Sequence, residues 1–173
     1  MSFISDIFGI ENKQEMQIPQ MTSILPPSVV SLIDNGTLPV LNIDTLMLFP
    51  KESCHYVDKA CLLITKSMIT HYDGNRGGIS FNVMKGVTLR GGKSRITPVR
   101  ENISTITRGY LHITSSRIVF TASENAFEKQ IQSLTSATPY SNALSLQFKN
   151  TVFNIFLPSP QQAFNVLLLI RQQ

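Results

Sequence analysis

Between Gly74 and Phe120 the chain reads GNRGGISFNVMKGVTLRGGKSRITPVRENISTITRGYLHITSSRIVF. Short alternating apolar and polar runs are cut by glycines, and the stretch closes on the hairpin GYLHITSSRIVF. A period of two is the signature of strands with one face buried. The same alternation continues in Leu144, Leu146 and Phe148. Strands are expected over 60–66, 79–84, 87–90, 103–107, 110–114, 117–121, 127–131, 144–149 and 151–157. Turn chemistry sits between them at Asp73-Gly74, Gly91-Gly92, Arg108-Gly109 and Lys149-Asn150. Many short strands at regular spacing predict a mainly β fold, a small barrel or strongly bent sandwich.

Helices are expected only outside this run. The segment SPQQAFNVLLLIRQQ offers Ser159 as N-cap, Pro160 at the first helical position and Gln162 to complete a capping box. Phe164, Leu167, Leu168 and Ile170 on that helix are expected to cover the core. A shorter helix, SVVSLIDNG, follows Pro26-Pro27 and stops at Asn35-Gly36. At the start of the chain Phe3, Ile4, Ile7 and Phe8 form one apolar stripe. That N-terminal helical arm lacks a basic polar face, so docking on its own domain or on a second copy is expected rather than on a bilayer. Residues 11–23 read as a linker. The division expected is an arm over 1–45 and a β domain over 46–173.

Charge is unevenly placed. Gly74–Arg117 holds Arg76, Lys85, Arg90, Lys93, Arg95, Arg100, Arg108 and Arg117 against Glu101 alone, a local balance of +7 in a chain of net +4. The rest therefore carries −3. A basic region of this kind suits an acidic or anionic partner. Apolar content of 42% supports a packed core and argues against general disorder. Two cysteines, Cys54 and Cys61, are too few for a disulfide scaffold and read as reduced thiols of a cytoplasmic protein. No signal peptide or membrane-spanning run is expected.

A bent antiparallel β domain closed by one C-terminal amphipathic helix resembles the pleckstrin-homology superfold. Gly109-Tyr110-Leu111-His112-Ile113-Thr114-Ser115-Ser116-Arg117-Ile118-Val119-Phe120 resembles the G-x-L-x-[IL]-T-x-x-R-[IL]-x-F hairpin of the GRAM subgroup and its bacterial relatives. Arg76-Gly77-Gly78-Ile79-Ser80-Phe81 and Lys85-Gly86-Val87 are similar to segments of small bacterial and phage proteins with such domains. The likeness runs from about Leu46 to the C-terminus. It implies a PH-like barrel capped by a helix, and a binding rather than a catalytic role. It does not select among lipid, peptide and protein ligands. Within the hairpin, Leu111, Ile113, Ile118 and Phe120 are expected in the core, with Arg117 reaching a carboxylate or backbone carbonyls.

Chemical motifs are weak. Cys54, His55, Cys61 and His71 match no zinc spacing, so no metal is expected. There is no nucleophile elbow, HExxH, P-loop or dinucleotide fingerprint, so neither an enzyme nor a cofactor is expected. The expected function is a non-catalytic interaction module for a protein partner, through an acidic surface on that partner. The alternative is an anionic polymer or membrane, nucleic acid or phospholipid headgroups, held by Arg76, Lys85, Arg90, Lys93, Arg95 and Arg100. A homo-oligomer assembled through Phe3, Ile4, Ile7 and Phe8 is favoured over a monomer. No small-molecule substrate is expected.

Overall fold

The structure, a computed structural model, describes residues 19–75, 79–84, 87–91 and 95–173, with side chains at 19–66 and 104–173. It is mainly antiparallel β, with a short helix before the strands and a longer one at the C-terminus. Helix α1 is Pro27–Asp34 and helix α2 is Pro160–Arg171. The strands are β1 (Cys54–Asn75), β2 (Ile79–Met84), β3 (Val87–Gly91), β4 (Arg95–Thr114), β5 (Arg117–Thr121), β6 (Phe127–Gln130), β7 (Ser136–Pro139), β8 (Ala143–Phe148) and β9 (Thr151–Phe156). The expected helix at the start of the chain lies outside the described residues.

Two compact units are present. One combines the described residues up to Ile64 with Thr105–Gln173, and the other is Thr65–Ser104. The second unit holds the β2–β3 hairpin, in register from Ile79 opposite Gly91 to Met84 opposite Val87, with a bulge between Asn82 and Met84. Thr65 and Ser104 join their hydroxyls at 3.1 Å in that unit.

The first unit is organised by a seven-stranded sheet in the order β6-β5-β4-β1-β9-β8-β7. β1 therefore joins two antiparallel runs, β4-β5-β6 on one side and β9-β8-β7 on the other. The inward face carries Leu111, Ile113, Ile118, Phe120, Leu144, Leu146 and Ile155, all fully buried. The four core residues expected in the β4–β5 hairpin are among them. Phe127 of β6 stacks on Phe153 of β9 with centroids 4.0 Å apart, so the two runs also meet through their aromatic side chains. Helix α2 closes this core with Pro160, Ala163, Val166 and Leu167. Helix α1 adds Val29 and Ile33, with Leu25 ahead of it.

Several expectations are corrected in detail. Residues 103–107 and 110–114 are one strand, because Arg108-Gly109 is not a turn. A Cβ on Gly109 would run into the Thr121 carbonyl and come within 2.9 Å of the Phe120 ring. The glycine lets β5 approach closely. Strand β1 likewise runs through Asp73-Gly74. Strand β7 was not expected, because Ser136-Ala137-Thr138-Pro139 shows no apolar alternation. It is an edge strand, where proline is tolerated. Ser159 precedes α2 without a side-chain capping bond. Gln162 instead reaches Asp34 of α1 at 3.5 Å. Leu168 is 42% exposed, since the buried stripe passes through Val166 and Leu167. Phe164 and Ile170 pack against the core but are only partly buried.

Candidate docking surfaces

The approach to β1 supplies the first surface. The chain from Leu38 to Ser53 forms a long loop tied down at both ends. Leu41 N–H donates to the Cys54 carbonyl at 2.8 Å, and His55 Nδ1 meets the Pro39 carbonyl at 2.7 Å. Midway, Thr45 Oγ1 lies 3.2 Å from Nε2 of buried His112. Burial pushes the His112 imidazole below its ordinary 6.5, and the adjacent Val119 backbone pulls it part of the way back.

The strongest tether is Glu52. Its side chain is 2% exposed and pairs with Arg117, itself 5% exposed, at 2.9 Å. The carboxylate also accepts from Thr114 Oγ1 at 2.5 Å, Ser116 Oγ at 2.9 Å and the Phe49 N–H at 2.7 Å. Burial alone would raise this carboxyl. The bonds from Arg117, Thr114, Phe49 and Ser116 outweigh it and hold Glu52 at about 2, against an ordinary 4.5. Arg117 in turn donates to the Met47 carbonyl at 2.6 Å and pairs with Glu128 at 2.9 Å. Its guanidinium lies 4.1 Å from the Phe49 ring centroid. A buried ion pair therefore fixes the loop backbone while its apolar side chains face water. Met47 is 92% exposed, Val40 70% and Phe49 56%. The expectation that Arg117 reaches a carboxylate and a carbonyl holds, with Glu52 and Met47 as the partners.

The second surface is on the outward face of the sheet. Residues 19–24 are not a free linker. Asp58 of β1 is fully buried and accepts from Ser23 Oγ at 2.6 Å and the Ile24 N–H at 2.9 Å. Met21 Sδ lies 3.5 Å from Cys61 Sγ, over a small apolar patch formed by Cys61, Leu63, Ala143 and Phe156. The segment straps the sheet and leaves a depression on each side. One, about 480 Å³, is lined by Pro19–Thr22 with Lys59, Ala60 and Cys61 of β1 and Arg108, Gly109 and Tyr110 of β4. The other, about 390 Å³, runs from the strap to Ser141, Asn142 and Phe156–Pro158.

Sequence reasoning missed Glu52, Asp58, Lys59 and Tyr110. Asp58 stands two residues ahead of the strand expected over 60–66, and nothing local marks it as the anchor of residues 23 and 24. Of the expected basic set, Arg90 lies on β3, opposite Ser80, and Arg95 and Arg100 lie on β4. Their side chains, and Arg76, Lys85 and Lys93 altogether, lie outside the described residues, as do Phe3, Ile4, Ile7 and Phe8. Cys54 and Cys61 are free and buried. Burial pushes the Cys54 thiol up to about 11, its bond to the Tyr56 carbonyl pulling back and the Glu52 charge adding to the rise. Among the described residues no three His, Cys, Asp or Glu side chains gather as metal ligands, and no helix is long and apolar enough to cross a membrane.

No protein-family model matches the chain, and none of the curated proteins does. Among solved structures it is similar to the C-terminal domain of an unknown protein from Leishmania infantum, at 16% identity and a TM-score of 0.37. That similarity covers 40% of this chain and 72% of the other.

Proposed function

We propose that this protein is a non-catalytic interaction module, a PH-like scaffold of the GRAM kind that docks a protein partner. The observation that carries the reading is the braced loop. Met47 stands out in water, and Phe49 keeps its outer side exposed while its ring lies on the Arg117 guanidinium, both on a backbone locked to the Glu52–Arg117 pair. Burying a side chain of this size contributes about 1.5–3 kcal/mol, and a pre-fixed backbone avoids the ordering cost that a flexible loop would meet on binding. The seven-stranded sheet with its single C-terminal helix supports the scaffold assignment.

The test is parallel capture from the native cell with the intact chain and a Met47→Asp, Phe49→Asp variant. A partner retained by the first and lost by the second is the expected result. No partner in repeated captures, or equal recovery by both, defeats the reading.

The +7 balance between Gly74 and Arg117 favours a second reading, contact with nucleic acid or anionic headgroups. It predicts binding that weakens steeply with salt and is abolished by charge reversal at Arg90, Lys93 and Arg95. Gel-shift and liposome-flotation measurements check it, and unchanged binding in that variant removes it.

A further inference from the structure

The depression between the strap and β4 has a definite chemical character. The outward-facing residues alternate along β1 as Lys59, Cys61 and Leu63, and along β4 as Ile106, Arg108 and Tyr110. Lys59 and Arg108 are both exposed at the groove, and among the described residues neither has a carboxylate within ion-pair distance. Between them lie Cys61 and Met21, in contact with each other and nearly sealed from water on the Cys61 side. Tyr110 stands at the rim, 44% exposed, so it can cover a bound apolar group and still offer its hydroxyl. Two cations around an apolar floor with one aromatic wall form a pattern that calls for carboxylates flanking a hydrophobic side chain.

The groove is also preformed. The strap that makes its far wall is anchored by the fully buried Asp58 carboxylate, through Ser23 Oγ and the Ile24 N–H. Gly109 on its floor admits no side chain without displacing β5.

We infer that this groove receives an acidic peptide segment of a partner protein. Carboxylates pair with Lys59 and Arg108, and an intervening apolar side chain lies over Met21 and Cys61 against Tyr110. The inference rests on the reading of the protein as an interaction module and adds where and what it binds. A nucleic-acid strand is a poorer fit, because a strand-tracking site needs a row of cations and repeated stacking rings. A small ligand would be left largely in water, whereas sites for such ligands bury most of their surface.

The test uses the full chain and a fluorescent peptide of alternating glutamate and leucine. Anisotropy gives affinity, and backbone amide NMR maps the contact. Expected is saturable binding that weakens with salt, with shifts clustered at Lys59–Cys61 and Arg108–Tyr110. The Lys59→Glu, Arg108→Glu double variant should lose at least about tenfold in affinity, because it sets like charges against the peptide's carboxylates. A Tyr110→Ser variant should bind at an intermediate level. All three side chains are exposed, and thermal melts confirm that the variants remain folded. Equal binding by the charge-reversed chain, shifts that avoid the groove, or an RNA oligomer that binds there where the peptide does not, each overturns the inference. The two readings fail separately. Partner capture examines Met47 and Phe49, whereas this titration examines only the groove.

Discussion

At the scale of single residues, Glu52 and Arg117 are coupled more tightly than any other pair described. Both side chains are almost wholly buried, and the carboxylate satisfies the loop, the β4–β5 turn and the guanidinium together. Breaking a buried pair by removing one partner strands the other, at a cost of about 3–5 kcal/mol. Glu52→Gln and Arg117→Met should each show a loss of that size in urea unfolding. Acid should expose the same dependence. Glu52 titrates at about 2 when folded and near 4.5 when unfolded, so between those values the unfolded chain binds more protons and stability falls as pH falls. His112 acts in the same sense at higher pH. Its folded value lies below 6.5, so stability begins to fall as pH drops through 6.5. Melting followed from pH 8 to pH 2 should thus show two descents, and Glu52→Gln should remove the lower one. This pair was half legible in the sequence. Arg117 after a turn asks for an acceptor, but Glu52 is 65 residues away and nothing local marks it as the answer.

At the scale of elements, the strands with clear alternation formed, while the runs expected over 60–66, 103–107 and 110–114 are parts of the longer β1 and β4. β5 matches its expected bounds, and β8 carries its buried set at Leu144, Leu146 and Phe148. Errors arose where a residue's role depends on what packs against it. Arg108-Gly109 has the composition of a turn, because glycine is common between strands. The glycine's role here is to admit the Thr121 carbonyl and the Phe120 ring. Gly109→Ala should therefore destabilise by about 1–3 kcal/mol, the usual cost of overpacking, as read from the denaturation midpoint. The strap reads as linker in sequence because it lacks periodicity, and its anchor is a carboxylate on another element. On α2 the distinction is between neighbours in sequence. Leu167→Ala should cost about 2–5 kcal/mol, whereas Leu168→Ser should stay within about 0.5 kcal/mol, because only Leu167 faces the core. Thermal or chemical unfolding of the two variants side by side checks the assignment.

For the whole molecule, the two thiols report on global opening. Cys54 contributes to the loop-side end of β1 and Cys61 lies under the strap, and both are closed to solvent. Alkylation of the native protein should be slow at both and accelerate with denaturant. Fast labelling of Cys61 alone would show that the strap opens without the sheet. The strand order has a separate consequence for how copies of the chain behave towards one another in concentrated solution. The sheet ends in β6 and β7, each of four residues. One carries Glu128 and Lys129, and the other ends in Pro139, which offers no N–H to a neighbour. Short, charged or proline-bearing margins are poor templates for strand addition. This chain is thereby guarded against self-templated fibril growth along its main sheet, and Lys129→Val with Pro139→Val should remove that guard, visible as earlier onset of dye-binding aggregates under agitation.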